Sequence, residues 1–486
     1  MKHAKKILTL IAAMSLLCAS AFGGVKFNHP FNPLANKVNE LEKPARDEIC
    51  LNGSWDFMPV FSNKKEDFKV PEEFKADSVK IKIPSPWNVN RFASNNVKGG
   101  DFNAFPSYPE NWKNAKIGWQ KRSFEIPQSW SGKRVILRFD GVMGNCEVYV
   151  NGAKAAENFD MFMPFEADIT DLVKIGGKNE ILVGVAKAEL YNKQGKFGRI
   201  EYMGGSFWGE HVSGIWQDVY LLAKPEVYIS DVFVRPNVKN STLALDIEIK
   251  NTTKAPKKIS VGGNVRKWKN LAGTSVEEAP VEKGAYEKSP ALLLGATQVE
   301  VPANSSKTLT IEVKNVSQLD FWTPETPNLY GAVISAGKDV KVQRFGWRQF
   351  TIEGKELFLN GKKYMLKGDS WHFMGVPQMT RRYAWSLFKM MKDANINAVR
   401  FHAQPYPEFY MDVADEFGVC VLDESAIWAS GGAPKYDSDL YMQRAKEHVE
   451  RFVKRDRNHP SVFGWSVCNE VLAVAIHVFK SPEELV

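Results

Sequence analysis

The sequence predicts a multidomain β plus α/β protein: a jelly-roll sandwich, an immunoglobulin-like β-sandwich, and then the first half of a (β/α)8 TIM barrel. Three observations carry that expectation. Period-two apolar alternation runs through residues 27–224, it resumes in a second β-segment over 225–346, and from 351 strand and helix patterns alternate four times. Alternation of period two marks half-buried strands, whereas strand–helix repeats mark parallel β/α units.

In the first segment, "RVILRFDG" (134–141) places Val135, Leu137 and Phe139 on one face. "CEVYVNG" (146–152) alternates again and turns at Asn151-Gly152, and "NEILVGVA" (179–186) repeats the period with Ile181, Val183 and Val185. Asn-Gly is a favoured hairpin dipeptide, and strands at this spacing build a sandwich or jelly roll. In the second segment, "STLALDIEIK" (241–250) aligns Leu243, Leu245, Ile247 and Ile249, and "KTLTIEVKN" (307–315) aligns Leu309, Ile311 and Val313. A segment of this length suits an immunoglobulin-like sandwich. The Lys/Glu/Gly/Ala-rich stretch 265–297 is expected to be a surface excursion.

Beyond residue 351, "KYMLKGDSW", "NAVRFH", "VCVLDE" and "VFGWSVCNE" read as strands. "RYAWSLFKMMKDAN" presents Trp385, Phe388 and Met391 on one stripe. "PEFYMDVADEFG" closes at Gly418, and "LYMQRAKEHVERFVKRD" is expected to bury Met442, Ala445, Val449 and Phe452. The strands end in Trp371-His372, Arg400-Phe401-His402, Asp423-Glu424 and Asn469-Glu470. A (β/α)8 barrel gathers its active site at such ends, and no glycine-rich phosphate loop follows the first strand, so a barrel is favoured over a dinucleotide-binding fold.

The first 21 residues combine Lys2, Lys5 and Lys6 with an apolar run from Ile7 to Leu17 and then Ala19-Ser20-Ala21, the pattern of a secretory signal peptide. The run is too short to span a bilayer, and the bulky Leu17 argues against lipidation at Cys18. An exported protein, periplasmic or extracellular, is expected. Removing those three lysines lowers the formal charge from +8 to +5, and no basic block or motif points to nucleic acid. Cys50, Cys146, Cys420 and Cys468 lie too far apart for a disulfide framework or a zinc site, and Cys468 is expected to be a buried packing thiol.

With these elements in order, the chain resembles glycoside hydrolase family 2, the group of β-galactosidases, β-glucuronidases and β-mannosidases. The stretches that carry the resemblance are "PSPWN" (84–88), "GKRVILRFDGV" (132–142), "EVYVNG" (147–152), "PFEADITDLV" (164–173), "GIWQDVYL" (214–221), "WTPETPNLY" (322–330), "NAVRFH" (397–402) and "NHPSVFGWSVCNE" (458–470). The resemblance implies that the first sandwich is a sugar-binding domain and that the activity is retaining cleavage of terminal β-linked sugars, β-galactosidase-like. It makes Glu470 the general acid/base and Asn469 the holder of the sugar 2-hydroxyl. A glycosidic bond needs a protonated carboxyl beside its leaving oxygen, which a rigid strand end can supply.

The same resemblance makes Arg400 a support for the nucleophile's carboxylate, with a structural pairing to Glu424 as the alternative. It places His372 and His402 in the sugar pocket, and leaves Trp371 as either a sugar platform or a packing residue. Asp423-Glu424 either touch substrate or brace the barrel. Three departures stand out: "FHAQPYP" after the second strand, Gln217 where arginine is usual, and Trp428 and Ser430 where magnesium ligands would lie. No catalytic magnesium and no other cofactor is expected. The partner expected is a carbohydrate, a β-glycoside or a plant or algal oligosaccharide. A homo-oligomer is compatible with the resemblance.

Residues 351–486 are about half of what a full barrel takes, roughly 250 residues. A fragment of a longer enzyme, inactive alone and with its nucleophile beyond residue 486, is therefore expected. The rival is a carbohydrate-binding or scaffolding protein with a vestigial barrel.

Overall fold

The computed structural model describes residues 36–88, 108–191, 199–205, 212–271, 284–373, 375, 378–428, 433–434 and 438–471. The expected signal peptide, residues 1–21, lies outside the described residues. Two antiparallel sheets face each other in the first domain. One runs Asp47–Cys50, Val219–Lys224, Arg134–Phe139, Phe165–Asp168; the other runs Ile81–Ile83, Gly53–Val60, Ile117–Glu125, Lys178–Ala186, Asn145–Val150, Ala153–Asn158. Val135, Leu137, Phe139, Ile181, Val183 and Val185 all point into the shared core, as alternation requires. Asn151 (φ 51°) and Gly152 (φ 84°) make the hairpin turn. Among the described residues, Trp55, Trp87, Trp112, Trp119, Trp130, Trp216 and Trp322 are almost wholly buried and serve the cores.

The second sandwich packs Val227–Asn237, Thr242–Asn251 and Ser305–Val313 against a sheet built on Lys257–Asn270 and Leu329–Ala336. Leu243, Leu245, Ile247 and Ile249 are fully buried. Here the expected excursion is corrected. Residues 265–270, 284–286 and 292–297 are strand, because Leu292–Val301 turns back on Lys257–Asn270 and buries Leu292 and Leu294 despite its polar neighbours. Residues 271 and 287–291 are loop, and residues 272–283 lie outside the described residues.

A small sheet of Phe350–Glu353, Glu356–Leu359 and Lys362–Lys363 leads into the barrel domain. Its elements are β1 (Gly368–Trp371), α1 (Arg381–Asp393), β2 (Ala398–Phe401), α2 (Glu408–Phe417), β3 (Cys420–Glu424), α3 (Asp439–Asp456) and β4 (Val462–Ser466). The strands are parallel and lie in sequence order, without the reversal that defines a doubly wound sheet. Thr380 and Ser438 cap α1 and α3 by accepting the amides of Tyr383 and Tyr441. Gly418 ends α2 at φ 70°, where a Cβ would stand 2.5 Å from the Pro324 carbonyl oxygen; both the turn and the close approach require glycine.

Three expectations fail locally. β1 occupies only the end of "KYMLKGDSW": Lys363 pairs in the small sheet instead, residues 364–367 lie outside any strand, and Met365 is 70% exposed. In α3 the expected stripe holds at Phe452, which is buried, and at Ala445 and Val449, which pack partly buried against the core, but Met442 is exposed and Tyr441, His448 and Asp456 are buried in its place. Polar partners for His448 and Asp456 wait on that face, so burial follows hydrogen bonding as well as apolarity. Cys468 is exposed, because the described residues hold no strand on the outer side of β4.

The domains are locked together by polar groups. Arg46 pairs with Asp339 at 2.9 and 2.6 Å, both buried. Gln217 had put an ion pair at the sandwich–barrel contact in doubt. Lys37 nevertheless bridges Asp140 and Glu408, each at 3.0 Å, with Arg138 beside it. The "NHP" that opens the signature stretch is a docking device. The Asn458 side chain accepts from the Val234 amide at 2.9 Å and donates to the Val232 carbonyl at 2.8 Å, and His459 Nδ1 sits 2.7 Å from Asp415. Arg344 of the immunoglobulin-like domain joins Asp412 at 2.6 Å and Asp415 at 3.7 Å. Asp412, Asp415 and His459 lie close enough together to suggest metal ligands, but that guanidinium supplies their positive charge.

Candidate active site

The open end of the parallel sheet collects the polar strand endings. Arg400 leaves β2 and reaches sideways: its Nε and Nη2 donate to the two oxygens of Glu424 at 2.9 and 2.8 Å, and Nη2 donates again to Asn469 Oδ1 at 2.6 Å. Glu424, fully buried, also accepts from the Ala403 amide and from Ser466 Oγ at 2.5 Å. Of the two readings of Glu424, bracing is what the geometry supports: no oxygen is left over for a ligand. Arg400 is a fork that makes the buried carboxylate tolerable and sets the orientation of Asn469.

Asn469 is buried, and with Oδ1 taken by Arg400 its Nδ2 has no partner among the described residues. Its backbone amide donates to the Ile427 carbonyl at 2.9 Å, and Trp428 forms a parallel bridge beside it. Glu470 follows at φ 54°, a left-handed conformation uncommon for a residue with a side chain, and is exposed. Asn469 is thus held while Glu470 is turned out into the space at the sheet's end.

The His372 and His402 rings stack with centroids 4.0 Å apart. Burial and the nearby Arg400 depress the pKa of both, and His372 adds to the effect on His402, so both are neutral at pH 7 and each ring offers one donor and one acceptor. Trp371 packs partly buried against the barrel core, and its carbonyl accepts from Tyr406 Oη at 2.7 Å and from the His402 amide at 2.9 Å. Asp423 lies behind the site, fully buried. Burial first, and then the charge of Asp456, push its pKa well up.

A magnesium ion of the kind the resemblance implies does not fit these residues. Glu424, the carboxylate of the segment after β3, is saturated by Arg400, Ala403 and Ser466, and Trp428 offers no hard oxygen. Ser430 lies outside the described residues. Sequence reading missed Ser466, whose bond to Glu424, and His448, whose buried place in α3, depend on contacts between distant segments. The only available signal was a histidine on the apolar side of a helical stripe.

Parallel strands with polar ends, preceded by two β-sandwiches, define a multidomain protein of two sandwiches and a partial (β/α)8 barrel. The chain belongs to glycoside hydrolase family 2: residues 49–225 match "Glycosyl hydrolases family 2, sugar binding domain", residues 227–348 match "Glycosyl hydrolases family 2", and residues 350–480 match "Glycosyl hydrolases family 2, TIM barrel domain". Among curated relatives, it is 26% identical over 482 residues to a beta-galactosidase of Priestia megaterium, covering 91% of this chain and 43% of that protein. It is 28% identical over 448 residues to a putative beta-glucuronidase of Formosa agariphila, covering 87% and 37%. Among solved structures, a Bacteroides uniformis beta-glucuronidase superposes with a TM-score of 0.69 at 22% identity, covering 90% of this chain and 49% of that one. The chain therefore spans less than half the length of these curated relatives.

Proposed function

We propose that this chain supplies the acid/base half of an exported, retaining exo-β-glycosidase, β-galactosidase-like in its substrate class. The observation that supports this most is the arrangement of Asn469 and Glu470: Arg400 holds the asparagine so that only its amide donor is available, and the adjacent carboxyl faces open space. In this reading Asn469 Nδ2 donates to the sugar 2-hydroxyl, a contact that strengthens as positive charge develops at the anomeric carbon. Glu470 protonates the leaving oxygen, then deprotonates the water that releases the sugar. A second carboxylate about 5 to 5.5 Å away serves as nucleophile, supplied from outside the described residues. His372 and His402, neutral and stacked, present hydrogen-bonding edges to sugar hydroxyls. Arg400 is committed to Glu424 and Asn469, so the described groups suit neutral hydroxyls better than a sugar carboxylate.

The test is hydrolysis of a panel of aryl β-glycosides by the full-length protein and its Glu470→Gln variant. A general acid contributes about 10²- to 10⁴-fold, so the variant should lose that much on poor leaving groups and less on activated ones. Equal rates in both proteins would remove Glu470 from the mechanism. N-terminal sequencing of protein recovered outside the cytoplasm checks export; an intact Met1 there would contradict cleavage of the leader.

A further inference from the structure

A buried hydrogen-bond chain runs from the first sandwich to Asn469. Asp160, in the loop after strand Ala153–Asn158, is 2% exposed. One of its oxygens is fixed by the amides of Phe162 and Met163 at 2.9 and 3.0 Å. The other lies 2.9 Å from Nδ1 of His448, a fully buried residue of α3. His448 Nε2 in turn accepts the Ala426 amide at 3.0 Å. That acceptor role settles the tautomer: the ring carries its proton on Nδ1 and donates it to Asp160.

Ala426 is clamped from its other side too, its carbonyl accepting from Gly205 of the sandwich at 3.3 Å. The segment it belongs to extends the β3–β4 pairing past the end of both strands. Ser425 N donates to the Ser466 carbonyl at 3.0 Å, Ser425 Oγ bonds the Val467 carbonyl, and the Ile427 carbonyl receives the Asn469 amide at 2.9 Å.

We propose that Asp160 and His448 are positioning residues, through which the first sandwich sets the height and orientation of segment 425–428 and thereby aims the Asn469 amide at the sugar 2-hydroxyl. The inference rests on the glycosidase reading given above. It goes beyond it by making a residue of the sugar-binding domain responsible for the geometry of a barrel residue that it does not touch. Burying a carboxylate is costly unless every oxygen is bonded; here one oxygen is fixed within the sandwich by the Phe162 and Met163 amides, which leaves the other to hold His448. Burial alone would raise the Asp160 pKa, but the hydrogen bond from His448, the charge of Arg451 and the Phe162 amide hold the carboxyl below its ordinary range.

The test compares wild type with His448→Asn, which keeps a donor toward Asp160 and loses the acceptor for Ala426, and with His448→Gln, which keeps an acceptor near the Nε2 position. Each full-length protein is assayed on an aryl β-glycoside and on its 2-deoxy analogue. H448N should lose about tenfold in kcat/KM on the 2-hydroxy substrate, the size of one misplaced hydrogen bond, and almost nothing on the 2-deoxy substrate; H448Q should recover most of the loss. Equal losses on both substrates, or none on either, would overturn the proposal, because a general loss of folded protein cannot distinguish them. If wild type hydrolyses neither substrate, the glycosidase reading fails by itself. Hydrogen exchange then decides the relay: faster exchange in H448N at Ala426 and Asn469, with Thr242–Asn251 unchanged, supports it, and unchanged exchange at both amides refutes it.

Discussion

Arg400 holds Glu424 by two parallel hydrogen bonds of 2.9 and 2.8 Å, in the fork-to-carboxylate geometry that only a guanidinium can make. Because Glu424 is fully buried, Arg400→Ala leaves a desolvated carboxylate with the Ala403 and Ser466 donors alone. The expected cost is about 3 kcal/mol, read as a shifted denaturant midpoint. Arg400→Lys should recover part of the stability but not the third bond to Asn469, so any hydrolysis should stay depressed when stability is largely restored. Full activity in the lysine variant would contradict the orienting role.

His459 carries a pH dependence of opposite sign from the usual acid instability. Burial alone would lower its pKa, but the charge and hydrogen bond of Asp415 push it up to about 9. Its unfolded value is about 6.5. The pairing therefore stabilises fully below that value and is lost as pH rises through about 9. Thermal midpoints taken from pH 6 to 10 should decline across this window, and His459→Gln should flatten that part of the curve while lowering its acidic plateau. A variant curve parallel to wild type would show that another group is responsible.

Trp322 ties the immunoglobulin-like domain to the barrel. It is fully buried, its indole donates to the Asp415 carbonyl at 2.9 Å, and its ring packs with Leu329, Ala398 and Cys420. Trp322→Ala should cost about 3 to 5 kcal/mol. Limited proteolysis should cut the variant between the second sandwich and β1 well before wild type; a cleavage pattern like wild type's would mean the contact is dispensable.

The legible part of the fold was the part with a strong period. Leu243, Leu245, Ile247 and Ile249 recur at every second position, and all four face the core. Strand 292–301 was hidden because its exposed side carries Gly295, Thr297 and Gln298, so composition spoke for a loop while pairing with Lys257–Asn270 decided otherwise. In α3, Met442 looked like part of the apolar stripe, yet the helix turns His448 and Asp456 inward. Polarity patterns cannot anticipate this, since a buried polar group depends on a partner far away in sequence.

By itself the sequence determined the order of domains, the parallel strands with polar ends, and the candidacy of Asn469 and Glu470, because local periodicity and a short motif encode these without reference to distant residues. Only the tertiary structure decided what the motif's neighbours do. It gave Asn458 and His459 to docking, Glu424 to bracing, and the left-handed turn at Glu470 to the site, and it linked Asp160 to His448 across 288 positions. Such assignments depend on which donors meet which acceptors once the chain is packed, and hydrogen bonds over that separation leave no trace in spacing or composition.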